Sequence, residues 1–342
     1  MRHGNESLEL DHLYQLARQE LSEANEKLVV WAGGDAPNQQ DALIAKFSER
    51  FPGIPVELTV DLSKYHDLAV YQQLLDGYLT PDVVMLQTMN DFEDWQAMGV
   101  LEPFKPESFP HLKQGYSDPD GAFLGVFMFT FLPQYAKEGP SAPPKNFPDF
   151  LKPEYQGRLA LTPPHDDDAV MYVYDHILQK HGDGFLTQLA AQSPAFVRGT
   201  AAPALLVGQE GFWGNLTGYP TYPEQPSIGF IPEDDVFVSW PQRAAMFKLT
   251  RHKAAARLWL AYLTSHEHQS GRGSWSVRDD VEPPEGLQEI EAYPNTNPLD
   301  FISWMRDRRH IHDLRVKMET VFGPVRGQSP LTDQALIKLY YR

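Results

Sequence analysis

Two apolar rhythms alternate along this chain. Residues 7–21 set Leu8, Leu13, Leu16 and Leu21 among charges, a spacing that predicts an amphipathic leading helix. Leu28-Val29-Val30-Trp31 follows as a short β-branched apolar run, the pattern of a buried strand, and Gly33-Gly34 end it. Asn38, with Asp41 three residues on, reads as a helix start; Leu43, Ile44, Phe47 and Phe51 mark the inner face before Pro52-Gly53 stop it. Val56-Glu57-Leu58-Thr59-Val60 is the next strand. A strand–helix–strand unit with so short a crossover implies parallel pairing.

The rhythm then repeats. Ser63 caps a helix carrying Leu68, Tyr71, Leu74 and Leu75, and Gly77 closes it. Pro81-Asp82-Val83-Val84-Met85-Leu86 is a third strand, and Asn90 with Glu93 opens a helix bearing Phe92, Trp95 and Met98. Three strand-to-helix turns therefore fall at residues 33–38, 61–63 and 87–90. In an open parallel sheet such turns gather at the carboxyl ends of the strands, where ligands bind.

Beyond residue 100 the pattern is looser. Residues 125–131 form a long aromatic-apolar strand suited to crossing between two lobes, and residues 236–240 suit a second crossing. Residues 139–153 hold Pro140, Pro143, Pro144, Pro148 and Pro153 and read as a loop. Leu159-Ala160-Leu161 resumes a strand, residues 168–178 a helix stopped by Gly182, residues 204–207 a short strand or helix start, and residues 252–268 a strong helix with Ala255, Leu258, Trp259 and Tyr262 inward. Helical patterns recur near residues 299–319 and 332–341.

At 342 residues the chain suits about two domains. The reading is a leading helix at 1–26, one lobe from 27–126 plus 240–290, and a second from 127–239 plus 291–342. The balance of 46 acidic against 29 basic side chains, net −17, argues against nucleic acid and anionic membrane as partners. The absence of cysteine excludes disulfides, thiolate catalysis and Cys-based zinc or iron–sulfur sites. No cofactor is expected. Met1-Arg2-His3-Gly4-Asn5-Glu6 has no apolar leader pattern, so the expectation is either a leader removed upstream or a chain that stays inside the cell.

Several stretches resemble one family. They are Lys27–Asp35 with its helix, Pro81-Asp82-Val83-Val84-Met85, Trp95-Gln96-Ala97-Met98-Gly99-Val100-Leu101, Tyr155-Gln156-Gly157-Arg158-Leu159-Ala160-Leu161, Val207-Gly208-Gln209-Glu210, and the run from Lys253 to Ser265, spread in order over residues 27–275. Together they are similar to the extracellular solute-binding proteins of ATP-driven importers, in the ferric-ion-binding-protein-like branch. The resemblance implies an α/β fold of two lobes, the type II periplasmic-binding-protein fold, with a ligand cleft between the lobes, no catalysis, a monomer, and a membrane permease as partner. Iron-binding members use a tandem tyrosine soon after the Val207–Glu210 segment. Here that stretch reads Gly211-Phe212-Trp213-Gly214-Asn215-Leu216-Thr217-Gly218-Tyr219, and the Tyr-Tyr pair is Tyr340-Tyr341, which points away from iron toward a small organic or anionic solute.

Candidate ligand-binding residues follow from the turns. Trp31, Gly33, Gly34 and Asp35 stand at the first, where glycines let a solute approach backbone amides and a helix N-terminus favours an anion; a plain tight turn is the alternative. Ser63 and Tyr65, with Lys64 and His66 beside them, stand at the second, and Gln87 and Thr88 at the third. Farther on, Arg198 suits a bidentate grip on a carboxylate or phosphonate, or equally a surface ion pair, with Thr200 next to it. Trp213, Tyr219 and Tyr222 offer aromatic faces or ordinary loop packing. His165-Asp166-Asp167-Asp168 reads first as charge complementing a helix start. His266-Glu267-His268 and His310-Ile311-His312 lack the one-turn spacing of a zinc pair, so no metal site is expected. With no Gly-x-Ser-x-Gly, Walker or Gly-x-Gly-x-x-Gly motif, the second choice is a leaderless intracellular enzyme on the same fold, a lyase, isomerase or cyclase, and the third a cytosolic sensor.

Overall fold

The computed structural model describes residues 4–219 and 225–341. In chain order the elements are α1 (Gly4–Ala24), β1 (Leu28–Gly33), α2 (Asp41–Arg50), β2 (Val56–Asp61), α3 (Ser63–Leu75), β3 (Val83–Leu86), α4 (Met89–Ala97) and the long β4 (Leu124–Ala136). They continue with β5 (Ala160–Leu161), α5 (Asp168–His181), α6 (Gly184–Ala191), β6 (Ala195–Phe196), α7 (Ala201–Leu206), β7 (Gly214–Gly218) and β8 (Ser227–Gly229). The chain closes with β9 (Val238–Met246), α8 (Lys253–Thr264), α9 (His266–Ser270), α10 (Asp300–Arg306), α11 (Arg308–Phe322) and α12 (Gln334–Tyr340). It divides into two compact units, Met1–Phe129 with Pro241–Ala292 and Thr130–Trp240 with Tyr293–Arg342, so β4 and β9 are the two strands that pass from one to the other.

In the first unit β1 pairs in parallel with β2 (Val30↔Leu58) and with β3 (Trp31↔Val84), and β9 runs antiparallel to β3 (Val84↔Ala245). Strand alternation divides the core. Val83 and Met85 face one cluster with Phe47 of α2 and Leu258, Trp259 and Tyr262 of α8, while Val84 and Leu86 face another with Val70 of α3 and Phe92 and Trp95 of α4. A strand buried on both faces must be apolar throughout, which is why residues 83–86 read as an unbroken apolar run.

The leading helix belongs to this core, but its buried stripe is not the leucine set. Leu10, Leu13, Ala17 and Leu21 are buried, while Leu8 and Leu16 are exposed at 69% and 42%. Burying the three leucines contributes about 2 kcal/mol each. Its first turn is clamped as well. The fully buried Arg278 guanidinium donates to both Glu6 carboxylate oxygens, at 2.8 and 3.2 Å, and to Asp280 at 2.7 and 2.9 Å. Two helix starts differ from expectation. Cap geometry puts the α2 cap at Gln40 rather than Asn38 and the α4 cap at Thr88 rather than Asn90.

In the second unit β4 runs antiparallel to β7 (Gln134↔Asn215) and β8 (Gln134↔Gly229), and β5 pairs in parallel with β6. Helix α5 is its centre, with nine buried residues, because α6, α10 and α11 all pack on it. Its one buried acid, Asp175, accepts from Trp304 Nε1 and pairs with His310 Nε2, both at 2.8 Å. Of residues 204–207, open between strand and helix from sequence, Ala204 to Leu206 end α7 and Val207 is its extended cap.

Candidate functional site

The three turns of the first unit do meet. Ser63, the first residue of α3, accepts the Gln87 backbone N–H on its Oγ at 3.0 Å, which ties the start of α3 to the turn before α4. A Cβ at Gly33 would overlap that same Oγ, so glycine leaves room for Ser63 to make this bond. Gly34 N–H donates to Asp61 O at 2.9 Å, joining the first turn to the second. Asp35 N–H donates to Gln39 Oε1 at 3.0 Å, a partner that a turn-plus-four spacing in the sequence could have suggested.

These bonds revise individual roles. The amides of Gly34, Asp35 and Gln87 are spent inside the protein, and the room left by Gly33 is filled by Ser63 rather than kept for a solute. Ser63 does not cap its own helix; it braces the neighbouring turn. Trp31, half-buried, stacks on His66 at 4.9 Å and 21°, and His66 is buried beneath it, with its pKa lowered by burial. His66 is therefore a packing partner and Tyr65, 42% exposed, is the side chain of this turn that faces solvent.

What the turns do offer is helix starts. Among the described residues α2, α3 and α4 have no side-chain cap hydrogen bond, and α3 also has no acid in its first turn. The first backbone N–H groups of a helix lack intrahelical partners and carry about half a positive charge, so an uncapped start is an anion-binding surface. Among the described residues α6, α7 and α10 also start without a side-chain cap hydrogen bond, whereas five other starts are closed. Asp167 caps α5 through Ala169 and Val170, Ser265 caps α9, Asp307 caps α11 and Asp333 caps α12. Glu20 of α1 accepts from Ala254 and Ala255 at the start of α8.

Two residues at this rim carry no motif. Arg243 of β9, opposite Leu86 in the ladder, is buried; it donates to Met89 O at 2.8 Å and to Glu93 Oε1 at 3.2 Å and stacks over Phe123 at 4.2 Å, fixing the first turn of α4. Asp91, in that turn, is buried at 4% exposure, and burial raises its pKa to about 7. Neither was legible in sequence. Arg243 sits in a run that reads as a strand, and Asp91 reads as an ordinary first-turn acid.

The candidates of the second unit are otherwise engaged. Arg198 grips Asp166 with two bonds, 2.7 and 3.0 Å, and reaches Gly327 O at 3.4 Å, so the ion-pair alternative describes it. The neighbouring Asp168 pairs with Arg308 at 3.3 Å and Arg315 at 2.8 Å. Thr200 and Tyr219 share a hydroxyl–hydroxyl hydrogen bond, and the Tyr219 ring lies 6.0 Å from Phe131. Trp213 lies under the Arg158 guanidinium at 4.0 Å and fills the space left by Gly139, which makes it a packing residue. Tyr222 lies outside the described residues. His111, Asp279 and Asp280 form a group of metal-ligand type in the first unit, yet Asp280 is held by two bonds from Arg278.

Comparison with known proteins agrees with this architecture. The family model of the bacterial extracellular solute-binding proteins matches residues 79–271, more than half of the 342 residues. No curated protein matches the sequence. Among solved structures, a substrate-binding protein of an ABC transporter from Agrobacterium tumefaciens superposes with TM-score 0.71 at 15% identity, covering 85% of this chain and 94% of its own. Iron-bound HitA from Pseudomonas aeruginosa gives 0.66 at 15% identity over 85% of this chain and 99% of its own. AfuA from Actinobacillus pleuropneumoniae, bound to fructose-6-phosphate, gives 0.67 at 15% identity over 87% and 99%. At such identity these likenesses establish the fold, that of the two-lobed α/β periplasmic binding proteins.

Proposed function

Since the chain belongs to the bacterial extracellular solute-binding proteins, the solute-binding components of ABC importers, we propose that its solute is a small organic anion whose acidic group sits at the starts of α3 and α4. The observation that carries this reading is that the uncapped starts of α3 and α4 are brought to one rim, where Ser63 Oγ accepts the Gln87 backbone N–H. Trp31 and Tyr65 supply apolar contact for the organic part, with Thr88 beside the anion. Electrostatics favours the arrangement because the backbone N–H groups of a helix N-terminus hold an anion. The relative bound to fructose-6-phosphate holds a solute of this kind. The missing tandem tyrosine argues against ferric iron. The protein acts outside the cytoplasm, as a monomer that delivers its solute to a permease.

A thermal-shift screen tests the solute class. Ligand binding to the native state alone stabilises by about 2.7 kcal/mol at a hundredfold excess over Kd. Sugar phosphates, phosphonates and dicarboxylates are expected to raise the melting temperature, and Trp31→Ala is expected to reduce the rise. A rise with amines or ferric ion alone would overturn the proposal.

A further inference from the structure

The first turn of α4 holds a carboxylate that the fold has set apart from solvent. Asp91 is the third residue of the helix and 4% exposed; its Oδ1 receives bonds of 3.3 Å from Tyr71 Oη and from Asn90 Nδ2, and the Thr88 hydroxyl is within reach of the carboxylate, opposing the effect of burial. The Asp67 carboxyl of α3 lies within hydrogen-bonding reach, so two acids face each other across the two helices whose starts form the candidate site. The other charged groups around it are acidic or committed. Asp94 of α4 faces Tyr71, Glu93 of α4 takes Arg243, and Arg243 from β9 also donates to Met89 O.

A charge at this position acts on the same dipole that a bound anion uses. An ionised Asp91 complements the helix start and repels an incoming anion; a protonated Asp91 leaves the start positive. Resting on the anion reading above, we infer that Asp91 determines charge specificity in this protein, and that an anionic solute binds together with one proton taken up by the Asp67–Asp91 pair. The buried carboxyl, with its pKa raised to about 7 by burial, changes charge in the range where this coupling has an effect. Linkage fixes the direction: an anion that prefers the protonated form binds more tightly as pH falls through neutrality, and its binding raises the affinity of the pair for the proton. The effect saturates near a tenfold change per proton per pH unit, because each factor of ten corresponds to one pKa unit.

Sulfate is a suitable probe because its own charge is fixed between pH 5 and pH 9. Calorimetric titrations of the full chain with sulfate, in buffers of different ionisation heat, count the protons taken up. Infrared spectra across the same range, wild type minus Asp91→Asn, follow the buried acid without any ligand. The expected result is a carboxylic acid signal that disappears near neutrality, uptake of close to one proton, sulfate affinity falling as pH rises through 7, and loss of both uptake and pH dependence in Asp91→Asn. Sulfate binding with no proton uptake, or with the same pH dependence in Asp91→Asn, overturns this inference and leaves the anion reading standing. Failure of sulfate to bind at any pH, while the infrared titration is normal, overturns the anion reading and the inference with it.

Discussion

The start of α3 and the start of α5 are built from similar polar material and end in opposite states. Residues 166–168 give α5 three consecutive acids, and all are used: Asp167 caps the helix, Asp166 holds Arg198, and Asp168 holds Arg308 and Arg315. Residues 61–65 give α3 an acid, a serine and a lysine, yet the serine turns to Gln87, the Asp61 carboxylate accepts its neighbour Leu62 N–H at 2.7 Å, and the helix start has no side-chain cap. Density of polar residues does not distinguish a site from a structural joint. Where the hydrogen bonds go does.

That contrast can be broken at several points. The largest expected effect is at the closed end. Asp166→Ala removes the carboxylate from a guanidinium that is only 14% exposed, and removing one partner of such a pair costs about 3 kcal/mol. Urea unfolding should register the loss, while solute affinity should stay unchanged; a large loss of affinity would move the site to α5. Gly33→Ala comes next. Its new methyl overlaps Ser63 Oγ, so the hydroxyl must turn away and give up the Gln87 N–H, at about 1 kcal/mol and with weakened solute binding, both read from a ligand-dependent unfolding curve.

Caps give a sharper comparison. Asp167→Ala removes two bonds to backbone N–H groups and should cost about 1 kcal/mol. Thr88→Ala, at a helix start with no cap bond, should change stability by less than about 0.5 kcal/mol and still weaken binding. Equal losses of stability from the two variants would mean that the starts are not different.

Stability should also depend on pH. Asp91 has a folded pKa raised to about 7 from 3.8, so between those values the folded protein holds a proton that the unfolded chain has released. Its contribution to stability is therefore full at low pH, declines as pH rises through that window and is gone above it. Asp91→Asn should flatten that decline in melting temperature between pH 5 and pH 8.

The sequence carried the fold well and the site unevenly, for a physical reason. Apolar periodicity reports burial, and burial builds the sheet; the strands at Val83–Leu86 and Leu28–Gly33 and the helix at Lys253–Thr264 were all legible from it. Their meeting at three turns followed from parallel topology. Side-chain partners follow no period. Nothing in the run around Arg198 shows that Asp166, 32 residues earlier, will occupy its fork, nor that Trp213 will lie under Arg158. The leading helix misled in a simpler way, since counting leucines overlooked Ala17, which packs on the same stripe as Leu10, Leu13 and Leu21.

The central claim is that an anion is held at the starts of α3 and α4 and not at the start of α5. Amide NMR of the full chain titrated with sulfate tests it directly. The account predicts saturable shifts of the Ser63, Lys64, Met89 and Asn90 amides, with Ala169 and Val170 unmoved because Asp167 already holds them. Saturable shifts centred on Ala169 and Val170, with the α3 and α4 amides still, would contradict it.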